Sequence, residues 1–574
     1  FRTSHEIRDI DVLDYDDLSA MIDWEAVRRH KERAFGPENP FITGVCINPD
    51  CYFQAKEATN PAYLRLADAM QQNMDRINAL TGRDYKFFNY YGAPDAERVL
   101  VSMGSSCDVI RETVEKLCAQ GEKVGAVAVH VYRPFSNEKL LAAIPASAKA
   151  IAVLDKTKDA AADGEPLYLD VRNAFYGSGR TPLIVGGRYG LGGKDFSPSD
   201  VMAVLEHLKG DAPKDHFTVG IEDDLTFTSI PKYTKPFNSS PEGTYACKLW
   251  GFGSDGTVGA AKNTVKIIGE HAGQHVQAYF VYDAKKSGGV TISHLRFGKE
   301  PIRSSYNIAN ADFIGCHKQA YVNKYDVLEG IKDGGVFLLN CSWSDEELET
   351  MLPASLKRTL AEKHVRFYTI DGSAIAEECG MPGRTNVITQ AAFFAISQII
   401  PEEDAKKYLK EAAEEAYGLK GEKIVQMNYR AIEAGFSGVH PVPIPTEWAV
   451  LEATETKEKI SDDPFIEEVY RSIDDLTGDR VPVSKLKDLK PGSLPPGTAA
   501  YDKRGVGEKI PVWNAQECLQ CNACSFVCPH AAIRPILLNE EEKKTAPETL
   551  VSVPAKGKDG LQFALTVSTF DCTG

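Results

Sequence analysis

The sequence predicts a multidomain α/β protein in which domains built on mostly parallel sheets are followed by a small cysteine-rich module. Three observations carry this. From residue 98 onward short apolar runs alternate with segments of helical period, the pattern of strand–helix–strand units with helices on both faces of a sheet. A glycine-rich strand-to-helix junction, Gly251-Phe252-Gly253-Ser254-Asp255-Gly256, opens one of these units. Near the C-terminal end Cys518, Cys521, Cys524 and Cys528 stand in a C-x2-C-x2-C-x3-C run followed by Pro529.

The 574 residues hold roughly three to five domains at about 100–200 residues each. A hydrophobic content of 43% and a charged content of 25% are ordinary for a globular chain. A net charge of −16 and a pI near 5.4 argue against nucleic acid and anionic membrane surfaces as partners, because both repel an acidic surface. The longest apolar runs, such as residues 391–400, fall short of the roughly 18–20 residues of a membrane span. No signal peptide opens the chain, and a first residue of Phe1 rather than Met fits a fragment or a processed chain.

Taken in order, residues 1 to about 40 are acidic and helical in character, and Pro37, Pro40, Pro49 and Pro61 then break regularity. Leu64, Ala67, Met70, Met74, Ile77 and Leu80 restore helical spacing. The first α/β unit reads as a strand over 99–103, a turn at Gly104-Ser105-Ser106 and a helix carrying Ile110, Val114 and Leu117. Gly121 ends that helix, and strands follow over 124–132 and 150–154. Residues 186–193, rich in glycine, close the unit as a loop; an anion cradle is the alternative, but no strand–helix frame surrounds all the glycines. A proline-bearing linker spans about 226–243.

The next unit has a strand over 246–250, then the G-x-G-x-x-G junction, then a helix with Val258, Ala261, Val265 and Ile268 on one face, and a second strand over 276–282. Glycines let a backbone approach phosphate oxygens, and free N–H groups at a helix start attract the anion. Asp283, Lys285 and Lys286 follow the second strand. An acid there suits a ribose of NAD, whereas two lysines favour a phosphorylated ribose, as in NADP or the 3′-phospho-ADP end of coenzyme A. Two surface lysines at a solvated strand end are the plainer alternative. Beyond lie a strand over 335–341, a helix over 345–360, a strand over 365–370 and an apolar helix after Gly383-Arg384-Thr385-Asn386. Lysine- and glutamate-rich helices over 402–435 read as solvent-facing. An extended link spans 439–445, and a Gly/Pro-rich docking segment spans about 480–512.

The cysteine run has a physical reading of its own. Two residues between ligands let a tight loop aim three sulfurs at one [4Fe-4S] cube, while the fourth, before Pro529, points to a neighbouring cube. A zinc site competes, but zinc sites present two separated cysteine pairs, and a disulfide framework competes less still. After a gap of 43 residues (529–571) comes Cys572, which fits the opening cysteine of a second run. The chain then ends two residues later, so a two-cluster module is expected to be cut short here, a stray tail thiol being the alternative. The eight other cysteines, Cys46 and Cys51 among them, read as buried structural thiols in a reducing, cytoplasmic compartment.

Together these features resemble the pyruvate:ferredoxin (flavodoxin) oxidoreductase family over essentially the whole chain. The resemblance is carried by Phe1-Arg2-Thr3-Ser4-His5-Glu6, Tyr132-Arg133-Pro134-Phe135, Gly187-Arg188-Tyr189-Gly190-Leu191-Gly192, Lys285-Lys286-Ser287-Gly288-Gly289, Ser293-His294-Leu295-Arg296-Phe297-Gly298, Tyr501-Asp502-Lys503-Arg504-Gly505 and the cysteine run. It implies oxidative decarboxylation of pyruvate with coenzyme A to acetyl-CoA and carbon dioxide, with ferredoxin or flavodoxin as acceptor and a homodimer as the assembly. Family members run to about twice this length, so thiamine diphosphate, its Mg2+ and a third cluster are expected outside this stretch, which alone would be inactive.

The resemblance places coenzyme A contacts on Ser254, Asp255, Gly256, Thr257 and Val258, with Lys286, Asn386 and Asn428, and cluster ligands on Cys518, Cys521, Cys524, Cys528 and Cys572. Catalytic residues remain unassigned. The fold class expected is α/β multidomain, with parallel-sheet α/β domains before a small bacterial-type 2[4Fe-4S] ferredoxin domain. The boundaries expected are 1–96 (end of an N-terminal domain and linker), 97–225 (transketolase C-terminal-like), 226–242 (linker), 243–455 (coenzyme A-associated, gamma-type), 456–512 (small docking domain) and 513–574 (ferredoxin domain, truncated). Two other readings stay open: a non-catalytic iron–sulfur subunit serving a partner chain, and an NADP-linked iron–sulfur oxidoreductase.

Overall fold

Val99, Val101, Val127, Ile151 and Val153 face one apolar core, while Leu100, Ala126, Ala152 and Leu154 face another. That alternation is what a sheet covered on both faces requires. The computed structural model describes residues 2–40, 42, 46–283, 289–452, 458–489 and 492–574. The chain divides into two units, residues 1–241 with 303–307, and residues 242–302 with 308–574.

The first unit contains α1 (Asn60–Thr81), β1 (Phe88–Gly92), β2 (Arg98–Met103), α2 (Ser106–Ala119), β3 (Val124–Val129), β4 (Ala150–Asp155), α3 (Pro166–Phe175), β5 (Leu183–Arg188), α4 (Pro198–His207) and β6 (Phe217–Thr218). The strands lie in the order β1-β3-β2-β4-β5-β6, all parallel except β1, which pairs antiparallel with β3. Val109, Ile110 and Val114 of α2 cover one face, and Leu167, Tyr168 and Val171 of α3 cover the other. Each such side chain contributes about 1.5–3 kcal/mol relative to leaving it in water. The segment 303–307 is held by the buried Glu112 carboxylate, which accepts from Ser239 Oγ (2.6 Å), Ser304 Oγ (2.7 Å) and Tyr306 OH (2.8 Å).

Several expectations change here. Gly186 and Gly187 are not loop residues but lie inside β5, because Tyr168 and Phe217 occupy the space a side chain would need: a Cβ at Gly187 would stand 2.3 Å from Phe217 Cζ. Pro49 and Pro61 do not break regularity; each sits in the first turn of a helix, Pro49–Glu57 and α1, where a missing N–H goes unnoticed. Cys46 and Cys51 are exposed rather than buried, since Pro49–Glu57 buries no residue at all.

The second unit contains β7 (Tyr245–Phe252), α5 (Thr257–His271), β8 (His275–Tyr282), β9 (Val290–Gly298), β10 (Ala311–Cys316), β11 (Ile331–Asn340), β12 (Arg366–Ile370), α6 (Asn386–Ser397), α7 (Glu402–Tyr417), α8 (Glu422–Ser437) and β13 (His440–Val442). Their order in the sheet is β8-β9-β7-β10-β11-β12-β13. β7, β10, β11 and β12 run parallel, while β9 is antiparallel to both β7 and β8, and β13 is antiparallel to β12. The sheet is therefore mixed, and β7 and β8 share a direction without touching. The helix expected over 345–360 is two helices, Asp345–Met351 and Ala354–Glu362, separated at Pro353.

The cysteine run leads into α9 (Ala523–Val527), and β14 (Ile533–Leu538), β15 (Val553–Pro554) and β16 (Gln562–Val567) form a small antiparallel sheet in the order β14-β16-β15. Among the described residues, no helix is long and apolar enough to cross a membrane.

Candidate functional site

β7, β10, β11 and β12 end at one edge of the second sheet, and open α/β sheets bind ligands at such carboxyl ends. The β7–α5 turn forms there because Gly251 has no Cβ, whose position would lie 2.5 Å from Thr257 Cβ, and because Gly256 takes φ +85° before the first turn of α5. The Asp255 carboxylate then folds back onto the turn. Its Oδ2 accepts from Phe252 N and its Oδ1 from Thr257 N, both at 2.8 Å. The Thr257 amide at the helix start, expected to be free for an anion, is thus already satisfied by a carboxylate within the loop, as is the Phe252 amide at the strand end.

The Thr257 side chain is equally committed. It is 1% exposed, with its Oγ1 2.8 Å from His317 Nδ1. Burial pulls the His317 imidazole below its ordinary range against the opposing pull of Asp255, so the ring is neutral at pH 7. Asn340 Nδ2 donates to the His317 carbonyl (3.2 Å), and Asn340 Oδ1 accepts from Gly372 N (2.9 Å), which ties the ends of β10, β11 and β12 to the turn. Ser254 and Gly256 are exposed and Val258 is half-buried.

Asn386 and Asn428 converge. A Cβ on Gly256 would stand 3.0 Å from Asn386 Cβ and Cγ, so Asn386 lies directly against the turn. Asn386 and Asn428 line one cleft of about 340 Å3 with Arg384, Tyr417, Lys420 and Met427. Asn428 Nδ2 donates to the Ile424 carbonyl (2.8 Å), one turn back in α8. Lys286 and its neighbour Lys285 lie outside the described residues. Arg384, Tyr417 and Lys420 were not singled out from sequence: Arg384 sits in the quoted Gly383–Asn386 turn, and Lys420 belongs to a stretch read as solvent-facing.

Cys518, Cys528 and Cys572 are half-buried, and Cys521 and Cys524 are exposed. Gln520 and Asn522 hold the run in a tight coil with φ near +57° and +60°, a conformation that costs such residues about 1–2 kcal/mol each. Backbone N–H groups point at sulfur: Gln520 N at Cys518 Sγ and Ala532 N at Cys528 Sγ, both at 3.3 Å. Burial alone would raise the Cys528 thiol, but the N–H groups of His530, Ile533, Ala532 and Ala531 outweigh it and bring the thiol below its ordinary range. The segment that carries Cys572 is tied to the residues after the run: Ser568 N donates to the Ala532 carbonyl (2.7 Å) and Thr573 Oγ1 lies 3.4 Å from His530 Nδ1. Asp571 anchors it, accepting from Lys503, Arg534 and Ser568. Among the described residues no three His, Cys, Asp or Glu side chains stand close enough to hold a metal ion. A thiol-rich coil with amides aimed at sulfur fits an iron–sulfur cluster in its donor chemistry.

Five family models match in succession. They are described as "Pyruvate flavodoxin/ferredoxin oxidoreductase, thiamine diP-bdg" (residues 1–75), "Pyruvate:ferredoxin oxidoreductase core domain II" (96–201), "Pyruvate ferredoxin/flavodoxin oxidoreductase" (246–438), "Domain of unknown function" (452–507) and "4Fe-4S binding domain" (511–534). The chain is 51% identical over its whole length to 49% of a pyruvate:ferredoxin oxidoreductase of Moorella thermoacetica. It is 50% identical, again over its whole length, to 49% of a pyruvate-flavodoxin oxidoreductase of Klebsiella pneumoniae. A mitochondrial pyruvate dehydrogenase [NADP(+)] of Euglena gracilis is 43% identical, with 32% of its length covered. The chain spans about half the length of the first two of these relatives.

Proposed function

The chain belongs to the pyruvate:ferredoxin/flavodoxin oxidoreductase family, and we propose that it forms the coenzyme A-binding and electron-conducting stretch of an enzyme that oxidatively decarboxylates pyruvate to acetyl-CoA and carbon dioxide. The observation that carries this reading is the convergence of Asn386 and Asn428 in one cleft against Gly256, from three separate parts of the sequence.

In this reading the cleft binds and orients the coenzyme. Asn386 and Asn428 offer amide groups to its polar edges, and the Asp255 carboxylate holds the β7–α5 turn rigid so that Gly256 and Asn386 keep their contact. His317 locks the Thr257 hydroxyl inward, which fixes the first turn of α5 beneath the cleft. Lys286 is a further coenzyme contact in the proposal. Cys518, Cys521, Cys524, Cys528 and Cys572 would hold [4Fe-4S] clusters, which would supply one-electron transfer toward a ferredoxin or flavodoxin. Thiamine diphosphate with Mg2+ supplies the electron sink for decarboxylation, and no described side chain is assigned to it. A homodimer in the cytoplasm completes the proposal.

Calorimetric titration of the purified protein with coenzyme A and with NADP+ tests it. Saturable coenzyme A binding, weakened in Asn386→Ala and Asn428→Ala, together with bound iron and acid-labile sulfide, is expected. Tight NADP+ binding with no response to coenzyme A overturns it in favour of an NADP-linked enzyme.

A further inference from the structure

The cleft beside Gly256 has to match the charge of its ligand without two of the amides of the glycine turn. Asp255 occupies Phe252 N and Thr257 N, and an anion seeking those donors meets a carboxylate instead. Two cations stand on the cleft itself. Arg384 and Lys420 line it, and among the described residues neither forms an ion pair. Lysines of the adjoining helix behave differently: Lys406 pairs with Glu402 at 2.7 Å and Lys410 with Glu433 at 2.6 Å. Lys406 and Lys410 are neutralised by glutamates of α7 and α8, whereas Arg384 and Lys420 leave their charge facing the cleft, where an external anion can be received.

The remaining lining fits the body of a nucleotide. Met381, Val387, Ile424 and Met427 supply an apolar floor, and the Tyr417 ring forms a wall with Lys420 Nζ 5.1 Å from its centroid. Among the described residues the Asn386 amide has no side-chain hydrogen-bond partner, and Asn428 engages only its Nδ2. Amide edges of this kind read the donor and acceptor pattern of a base. At about 340 Å3 the cleft lies near the lower end of small-molecule sites, roughly 300–1,000 Å3, and takes a nucleoside-sized group rather than a whole coenzyme.

We propose that Arg384 and Lys420 read the 3′-phosphate on the ribose of coenzyme A, so that this cleft selects the 3′-phosphorylated coenzyme over its dephospho form. Two cations lining one cleft match a phosphate monoester, which carries a charge of about −1.5 to −2, better than a diphosphate diester with its charge divided between two phosphorus atoms. The proposal rests on the coenzyme A reading of the cleft.

The test is calorimetric binding of coenzyme A, dephospho-coenzyme A and adenosine 3′,5′-bisphosphate to the purified protein, the R384Q/K420Q double variant and the charge-conserving R384K/K420R variant. Wild type should favour coenzyme A over the dephospho form by on the order of tenfold or more, the scale of a charged hydrogen bond. R384Q/K420Q should cut that preference severalfold, with Lys286 supplying any remainder, while leaving the dephospho form within about twofold of wild type. R384K/K420R should keep part of the preference. Both side chains are exposed, so unchanged thermal melting verifies that the variants fold. A wild type that binds both coenzymes equally, or a double variant that weakens both by the same factor, overturns the proposal and leaves the coenzyme A reading standing. A wild type that binds neither overturns both.

Discussion

Gly256→Ala separates what the β7–α5 turn does for stability from what it does for the cleft. The added methyl would stand 3.0 Å from Asn386 Cβ and Cγ and 3.3 Å from Nδ2, at a residue whose φ is +85°. Left-handed strain on an L residue accounts for about 1–2 kcal/mol of lost stability, read as a shift in the urea midpoint. The contact adds a different effect. Asn386 opens α6, so its Cβ is fixed by the helix backbone, and the amide must turn away from the cleft. Coenzyme A affinity should therefore fall by more than strain alone explains, on the order of tenfold. The decisive assay is a double-mutant cycle with Asn386→Ala, read as binding. With the amide removed, displacing it has no further consequence, and the cycle should return a coupling of about 0.5–3 kcal/mol. If the two substitutions add within about 0.3–0.5 kcal/mol, Gly256 does not act on the ligand through Asn386, and the geometry assigned to the cleft is wrong.

Asp255→Ala uncaps Phe252 N and Thr257 N and should lower stability by about 0.5–2 kcal/mol. Because it frees a helix N-terminus, added sulfate should raise the melting temperature of this variant and not that of wild type. The buried His317 imidazole is held below its ordinary value of 6.5, so the unfolded chain takes the proton first as pH falls. Stability is therefore full above about pH 6.5 and declines below it by up to about 1.4 kcal/mol per pH unit. His317→Asn, which keeps a hydrogen-bonding group toward Thr257, should flatten that slope in urea midpoints taken between pH 7.5 and 5.5. Gly187→Ala drives a methyl to within 2.3 Å of Phe217 and should destabilise the first unit by about 1–3 kcal/mol, with partial recovery in a Phe217→Leu background. Asp571→Asn leaves Lys503 and Arg534 without their shared carboxylate; because those cations are 36% and 54% exposed, the loss is only about 1 kcal/mol, but iron retained per chain after reconstitution should fall.

The fold was legible where a side-chain period had a single explanation. Strands β2, β3 and β4 are buried along nearly their whole length, and α2 and α5 bury one face, so apolar runs and helical spacing found them. β9 escaped notice because its polar residues Ser293, His294 and Arg296 are buried rather than solvated, which erases the alternation that a half-exposed strand displays. β5 was hidden for the opposite reason. Its Gly186 and Gly187 read as loop, although glycine is there because Tyr168 and Phe217 need the room, a demand set by residues distant in sequence.

The candidate site divides along the same line. Cysteine spacing is local chemistry, and the coil around Gln520 and Asn522 follows it directly. The cleft is not local: Asn386 and Asn428 meet only after α6 and α8 pack, and Arg384 and Lys420 gain meaning from that meeting. The glycine turn shows what a motif alone leaves out. Its pattern predicts amides free for phosphate, yet one residue inside it, Asp255, carries a carboxylate on a tether short enough to reach Phe252 N and Thr257 N itself. An internal group at that effective concentration outcompetes a free phosphate for the same donors. The turn is thereby a brace for Asn386, and in the proposal the cations of the cleft meet the charge that those two amides do not.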